Sequence, residues 1–330
     1  MQAWQDFMAN QTLSNDPLGD CAITDLSHLG IIRVSGSNKL EFLQGQLTND
    51  INKVSETHSQ ISSYCSPKGR MLASFRIVQL GDDLLLLLPM DLLEPTMKRL
   101  SMFVLRADVQ ISDASEDLKR IELSGDCATD LLPIDPPEAA NGVVSHDEYT
   151  IVRLPGDRPR FLVISDCDCM EALWEEAKQV ATPTCRASWA LLDIRAGIPT
   201  VYESTKEAFV PQMTNLQLID GVSFTKGCYT GQEVVARMQY LGKLKRRMYR
   251  AKVETEQAPT AGTELFSESD ASGQGSGKVV DAAPSPDGGY EVLIVTPISC
   301  AEANDLRLVD ANGPALTILD MPYEFETADA

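Results

Sequence analysis

The sequence predicts an α+β protein made of two related α+β units followed by a small C-terminal β-barrel. Two successive halves of the chain show strand and helix patterns in the same order: strand, helix, hairpin, helix. The first strand of each half ends in a Ser-Gly pair, Ser35-Gly36 and Ser124-Gly125. Beyond Gly242 the pattern changes to short alternating strands interrupted by glycine, proline and aspartate, which is typical of a small barrel or sandwich.

Three regions follow from these patterns. Residues 1–110 together with 185–242 form the N-terminal α+β region, residues 111–184 form the second α+β unit, and residues 243–330 form the barrel. The similarity of the two halves indicates an internal repeat with mostly antiparallel sheets. The alternative is that short strand–turn–helix units resemble one another by chance.

In the first half, runs of apolar residues predict strands at 31–34, 60–65, 71–80 and 84–88. Apolar residues at helical spacing predict a short helix over 40–47 and a longer helix after Pro89. Gly81-Asp82 is a turn signal between the last two strands. Residues 1–20 are expected to form a polar arm with a weak helical start.

In the second half, the same reasoning predicts strands at 120–123, 149–154 and 161–165. A short helix is expected to open at Ser124-Gly125-Asp126, and longer helices to cover about 168–180 and 188–196. Residues 203–225 show no periodicity and are expected to be mostly irregular. The strands of the barrel are predicted at 248–253, 277–282, 290–295 and 315–318.

The charge of the chain limits its partners. The net charge is −20 over 330 residues, so the protein as a whole repels nucleic acid and any RNA contact needs a local basic patch. Lysine and arginine residues in the segment 243–250 form such a cluster, although a run of this kind is more often a solvated face. Direct RNA contact is therefore doubtful. The longest apolar run, 84–90, is too short to cross a membrane.

The eight cysteines show no paired C-x-x-C spacing of the kind that binds zinc or an iron–sulfur cluster. We therefore assign no metal site. The N-terminus lacks the basic and apolar stretches of a secretory signal. We therefore expect free thiols in a reducing compartment, which makes the protein cytoplasmic.

The segment Lys226-Gly227-Cys228-Tyr229-Thr230-Gly231-Gln232-Glu233 is the strongest chemical signal in the chain. Thr230 and Glu233 have the spacing of a capping box, so a helix is expected to begin at Thr230, just after Cys228. A helix N-terminus and the nearby Lys226 ammonium both favour a thiolate, which predicts a functional thiol at Cys228. The alternative is a glycine-bearing turn that contains a buried, inert cysteine.

This eight-residue segment resembles the signature of the folate-binding YgfZ proteins, relatives of the aminomethyltransferase (T-protein) of the glycine cleavage system. Further segments agree with that family in the same order along the chain: Gln44–Asp50, Ser66–Met71, Trp189–Pro199 and Pro211–Leu216. The resemblance implies two ferredoxin-like, T-protein-like α+β units and a barrel around a central hole that binds tetrahydrofolate. The resemblance also implies that residues 1–110 and 185–242 together form the folate-binding region.

The resemblance also suggests site residues. Trp189 is the candidate for stacking on the pterin ring of a reduced folate, against the alternative of a core tryptophan. Polar side chains that could pair with the pterin edge are Glu203, Gln212, Asn215 and Gln232. For each of these four, capping or loop hydrogen bonding is the alternative. Cys228, together with Lys226, is expected to carry the chemistry.

The implied function is that of an accessory factor for making, maintaining or repairing iron–sulfur enzymes, including radical-type enzymes that methylthiolate tRNA. The alternative is a tetrahydrofolate-dependent one-carbon transferase. Aminomethyltransferases use an aspartate near the folate, and the comparable stretch 70–76 has no carboxylate. We therefore expect an accessory factor more than a classical aminomethyltransferase. A scaffold that keeps the fold without binding folate is a third possibility.

Overall fold

A computed structural model describes residues 2–14, 19–146, 148–270 and 275–325. It confirms the α+β class. Two antiparallel-rich sheets lie face to face, helices cover their outer faces, and a third sheet is built from the C-terminal residues. Within the described ranges no helix has the length and apolar character to cross a membrane.

The N-terminal sheet has five strands, all paired antiparallel. Their spatial order is Gln60–Cys65, Met71–Leu80, Asp83–Pro89, Leu29–Ser35, Gln110–Asp113. The helices Lys39–Gln44 and Met90–Ser101 pack on one face of this sheet around buried residues such as Leu43, Leu86 and Leu92. Pro89 precedes the second helix, where its missing N–H breaks no helical hydrogen bond.

The second sheet has six strands, in the order Thr182–Thr184, Cys21–Asp25, Lys119–Gly125, Arg160–Ser165, Tyr149–Arg153, Val143–His146. Only the pair formed by the first two strands is parallel. The helices Gln2–Ala9 and Cys167–Ala177 pack on its outer face, where Trp4 meets Trp174 edge to face.

The strand Cys21–Asp25 belongs to the second sheet, although the division predicted from the sequence puts residues 1–110 in the first region. The division itself remains a prediction. The two Ser-Gly strand ends share one backbone conformation, since Gly36 and Gly125 have φ values of 100° and 101°. At both positions an added Cβ would collide with a carbonyl oxygen, of Asp108 and Asp20 respectively, so both strands require glycine at their ends.

Apolar side chains fill the space between the two sheets. The N-terminal sheet contributes Ile31 and Leu87, and the second sheet contributes Val152, Leu162 and Ile164. Each of these is nearly or fully buried. The two sheets therefore share one core, and the small cavity described below lies at its border.

The C-terminal part contains a four-stranded sheet in the order Lys278–Pro284, Tyr290–Pro297, Arg246–Val253, Leu316–Leu319. A two-stranded sheet, Leu265–Phe266 with Arg307–Leu308, is linked to it by single bridges at Glu264↔Lys278 and Arg307↔Ala315. These single bridges connect the smaller sheet to both edges of the larger one. The helix Ile298–Ala303 follows the second strand of the larger sheet.

The remaining helices connect the three sheets. They are the α-helices Arg186–Arg195 and Gln232–Tyr240 and the 3-10 helices Ile51–Lys53, Glu203–Thr205, Pro211–Thr214 and Leu216–Ile219. The helix Arg186–Arg195 packs its Ala190, Leu191 and Ile194 against the C-terminal sheet, including Met248 and Leu293.

Two local predictions are wrong. Residues 126–132 form turns and no helix, and Leu131 and Leu132 pack against the second core from this irregular segment. The thiols are not all free, because Cys21 and Cys127 form a disulfide with their Cα atoms 5.6 Å apart. The segment 203–225, expected to be mostly irregular, contains three short 3-10 helices between irregular stretches.

Candidate functional site

The turn that carries Cys228 is anchored by Lys226. The Lys226 ammonium donates hydrogen bonds to the backbone oxygens of Leu47 and Asn49, at 2.6 and 2.9 Å, and lies 5.1 Å from the centre of the Tyr229 ring. Burial lowers the pKa of Lys226 to about 8, and the nearby Asp50 carboxylate opposes that shift. Lys226 therefore fixes the turn to the N-terminal sheet region.

The helix after the turn begins at Gln232, and the predicted capping box at Thr230 is wrong. Gly231 occupies the N-cap position with φ of 85°, and no side chain caps the helix. The reason is close packing: an added Cβ at Gly231 would lie 2.9 Å from Cα of Gly69 and closer still to the Ser66 oxygen. A backbone in this conformation at such a contact requires glycine.

Cys228 is exposed, whereas the other free cysteines are buried or partly buried. The turn around it is closed by Gln232, whose backbone N–H donates to the Tyr229 oxygen at 3.1 Å and whose side-chain amide donates to the Gly227 oxygen at 3.4 Å. Cys65 is the contrasting case, since burial raises the pKa of its thiol to about 12. Cys228 is thus the thiol that a partner can reach most readily.

The second part of the site is a small cavity of about 60 Å³ at the border between the two facing sheets. Trp189 and Asp193, one helical turn apart on Arg186–Arg195, both line it, as do Ser74 and Arg76 from the N-terminal sheet. A larger cavity, of about 470 Å³, shares Ile61 and Ile198 with it, so the two are neighbours along one cleft.

A group of buried charged side chains lies beside the small cavity and includes Asp193, which lines it. Arg160 is fully buried and donates from Nε to Glu122 at 2.6 Å and from Nη2 to Asp193 at 2.9 Å. Its guanidinium also lies 5.3 Å from the centre of the Trp189 ring. Burial raises the pKa of the Asp193 carboxyl, and the Arg160 and Arg76 guanidinium groups oppose this shift. Arg160 therefore joins Glu122, Asp193 and the face of Trp189 in one buried group, and burial raises the pKa of Glu122 to about 7.

The structure brings only one of the predicted pterin-binding side chains, Trp189, to this cavity. Gln212 is buried and donates to the Val235 oxygen at 2.6 Å, which ties its 3-10 helix to the helix after Cys228. Asn215, also buried, donates to the Met248 oxygen of the C-terminal sheet at 2.9 Å. Gln232 closes the turn around Cys228, as described above. The folate roles predicted for these three residues remain predictions.

Glu203 lies apart from both the cavity and the turn. Its carboxylate is exposed and pairs with Lys206 at 3.2 Å, three residues along the chain. A surface ion pair of this kind contributes little to stability. The folate role predicted for Glu203 is likewise still a prediction.

Reasoning from the sequence missed Asp193, Arg160 and Arg76. The available signal was weak: Asp193 lies four residues after Trp189, so a helix through both places them on one face. Arg160 lies just before the strand predicted at 161–165, and nothing in the sequence links it to Glu122 or Asp193, which are distant along the chain.

Comparison with known proteins agrees with this picture. A family model described as the GCVT N-terminal domain matches residues 18–134. The aminomethyltransferase T of the glycine cleavage system from Bartonella henselae has a similar structure, with a TM-score of 0.68 and 16% identity, over 97% of this chain and 88% of that one. This likeness is one of fold.

Two relatives named tRNA-modifying protein YgfZ show the closer relationship. The protein from Yersinia enterocolitica is 29% identical over 320 residues, 96% of each chain. The protein from Colwellia psychrerythraea is 38% identical over 244 residues, which are 73% of this chain and 74% of that relative. With this identity over most of both sequences, the chain belongs to the YgfZ family.

Proposed function

We propose that this protein binds a reduced folate and supports tRNA modification in the cytoplasm as an accessory factor for iron–sulfur enzymes that methylthiolate tRNA. The name of the relatives supports the tRNA link, and the likeness to an aminomethyltransferase supports the folate link. The observation that carries the proposal is the placement of Trp189 and Asp193 side by side on one cavity between the sheets.

The side chains of this cavity suit a pterin. Trp189 offers a flat apolar face, and the Asp193 carboxylate can accept the paired N–H groups of a pterin edge. Arg160 uses one oxygen of Asp193, which leaves acceptor capacity on the carboxylate. The small cavity is narrower than a pterin ring, so binding requires Trp189 or a neighbouring side chain to move, and the larger adjoining cavity has room for the rest of the ligand.

A reduced folate supplies a carrier for one-carbon units, and the residues of this chain supply its position. Asp193 and Trp189 orient the ring, and Ser74 adds a hydroxyl at the wall of the cavity. Cys228 lies on a separate, exposed turn. We therefore assign the thiol to contact with a client protein, and the cavity to folate.

The folate half of the proposal is tested by titrating the purified protein with tetrahydrofolate and following binding by calorimetry. Asp193→Asn and Trp189→Leu should each weaken binding about tenfold or more, because a charged hydrogen bond or a stacking face is lost. Glu203→Gln removes a carboxylate at the surface and is the control. The folate assignment is wrong if tetrahydrofolate does not bind, or if the three variants bind it equally well.

The thiol half is tested in cells that lack the gene. Methylthiolated tRNA nucleosides are measured after complementation with the wild type, Cys228→Ser or Cys167→Ser, at equal protein levels. We expect the wild type and Cys167→Ser, which changes a partly buried cysteine, to restore these nucleosides and Cys228→Ser to fail. Full restoration by Cys228→Ser would exclude a functional thiol at this position.

One observation favours one-carbon transfer as a second candidate. The stretch 70–76 contributes Ser74 and Arg76 to the cavity and no carboxylate, yet Asp193 supplies one from the facing helix. Burial raises the pKa of the Asp193 carboxyl against the opposing Arg160 guanidinium, which is the direction expected of a group that exchanges a proton near neutral pH. Formation of methylene-tetrahydrofolate from a small amine, lost in Asp193→Asn, would establish this activity.

A further inference from the structure

A second pocket, of about 450 Å³, lies where the helix Met90–Ser101 meets the loop Ser66–Lys68 and the turn Lys206-Glu207. We call it the basic pocket. The helix lines it with residues spaced three or four apart, among them Leu92, Thr96 and Arg99. Its volume falls within the range of pockets that hold small organic ligands. It shares no lining residue with the cavity proposed for folate.

The pocket is positively charged in a chain of net charge −20. Lys68, Lys98 and Arg99 line it, and none of them forms an ion pair within the described part of the chain. Lys206 is the fourth cation and is already paired at the surface, and Glu207 is the acidic residue of the lining. An unpaired cluster of three cations favours an anionic ligand.

Two buried hydroxyls line the pocket. Tyr64 is 1% exposed and Ser66 is 4% exposed. The Tyr64 hydroxyl lies beside the Arg99 guanidinium, which opposes the rise that burial gives to the pKa of Tyr64. Among the described residues, Ser66 Oγ and Arg99 Nε have no hydrogen-bond partner. Buried polar groups in folded proteins are nearly always paired, so these two donors are explained best by a ligand that accepts hydrogen bonds.

The rest of the lining is apolar. Pro67, Leu72, Pro95 and Met102 contribute to the wall, and the Arg99 guanidinium lies 5.8 Å from the centre of the Tyr64 ring. A bare inorganic anion would leave this surface unused. A ligand that combines an anion with a flat organic body would use both parts of the pocket.

We propose that the basic pocket binds a phosphorylated nucleoside, either as a free nucleotide or as the end of an RNA chain. Arg99 presents a planar fork of donors, and the lysines add point charges, a combination that suits phosphate oxygens. The Tyr64 and Ser66 hydroxyls complete the donor set, and the apolar wall contacts the base or the sugar. This inference stands on a different site from the folate proposal and does not depend on it.

The test is calorimetric titration of the full chain with three probes: AMP, a short oligoadenylate with a terminal phosphate, and inorganic phosphate. Binding of AMP in preference to inorganic phosphate is expected, because only AMP reaches the apolar wall. An oligoadenylate that binds more tightly than AMP would identify an RNA end as the ligand, and the reverse order would identify a free nucleotide.

Three variants locate the site. Arg99→Gln should weaken AMP binding about tenfold or more, since it removes a charged hydrogen bond, whereas Lys53→Gln, the same charge change at an exposed lysine elsewhere, should leave it within about twofold. Tyr64→Phe removes a hydroxyl whose neighbour in the protein is the Arg99 guanidinium, so it should change the melting temperature little while weakening AMP binding.

Three results would overturn the proposal. The first is no binding of AMP or oligoadenylate up to about 10 mM, which corresponds to negligible affinity. The second is equal weakening by Arg99→Gln and Lys53→Gln, which would mean attraction by overall charge alone. The third is inorganic phosphate binding as tightly as AMP. The melting temperature of Tyr64→Phe is measured alongside, and loss of AMP binding in a variant that melts within a few degrees of the wild type comes from the missing hydroxyl and not from unfolding.

Discussion

Replacing Gly231 by alanine should disrupt the turn that presents Cys228. Gly231 has φ of 85°, a conformation that costs an L-residue about 1–2 kcal/mol. The new Cβ would also approach Cα of Gly69 to 2.9 Å and overlap the Ser66 oxygen. Overpacking of this kind costs about 1–3 kcal/mol, so the free energy of unfolding should fall by about 2–5 kcal/mol in total.

Gly227→Ala is the matched control. Gly227 lies in the same turn, its φ is not positive, and an added Cβ would meet nothing within 4 Å. Calorimetry of both variants measures the melting temperature, and a thiol reagent measures how fast Cys228 reacts. We expect Gly231→Ala to melt about 4–10 °C below the wild type and Gly227→Ala to stay close to it. The reaction rate at Cys228 should change only in Gly231→Ala.

Equal melting temperatures for Gly231→Ala and the wild type would refute this reasoning. That result would mean that the helix can begin without the close contact between Gly231 and the Ser66–Gly69 loop. A change of similar size in Gly227→Ala would also contradict it, because the two glycines differ in backbone conformation and in the space around them.

Three further changes test individual charges. Burial raises the pKa of Asp281 to about 6, above its value of 3.8 in an unfolded chain, so its contribution to stability is present at acidic pH and is lost as the pH rises through 6. The Asp281 carboxylate accepts hydrogen bonds from the Tyr202 hydroxyl and the Ala282 N–H, and the single amide oxygen of asparagine can accept only one of them. Thermal melts should therefore show that Asp281→Asn is about 2–3 kcal/mol more favourable at pH 7 than at pH 4, where the lost hydrogen bond alone costs about 1 kcal/mol. Lys226→Met removes two hydrogen bonds from a cation to backbone oxygens and should cost about 1–3 kcal/mol in urea unfolding. Arg160→Met leaves two buried carboxylates unpaired and should cost about 3–5 kcal/mol by calorimetry, whereas Arg158→Met should cost much less.

Regular elements with strong apolar patterns could be predicted from the sequence, and short polar ones could not. Strands such as Asp83–Pro89 and Arg160–Ser165 bury nearly every side chain, so their composition alone marks them. Strands such as Gln110–Asp113 and Val143–His146 lie at sheet edges with largely exposed or half-buried residues. Their existence depends on the neighbouring strand, which a local pattern cannot show.

The candidate site was predictable where it is local and hidden where it depends on distant contacts. The Cys228 turn is continuous in sequence, and its glycines and helix start could be recognised, although the residue that begins the helix could not. That residue is set by contact with Gly69, which lies more than a hundred positions earlier in the chain. The ion pairs of Arg160 depend in the same way on contacts distant in sequence. Glu122 lies on the strand that pairs with the strand of Arg160, and Asp193 lies on the helix Arg186–Arg195.

The C-terminal sheet contributes no residue to the lining of the small cavity, but it supports the helix Arg186–Arg195, which does. Trp189 and Asp193 lie on the face of the helix that borders the cavity, and Ala190, Leu191 and Ile194 lie on the face that packs on the C-terminal sheet. The second face is apolar and nearly fully buried, so without the sheet the helix would expose it to water. The C-terminal sheet therefore holds the helix in position. Through the helix, it fixes the distance between Trp189 and the strands on the other side of the cavity.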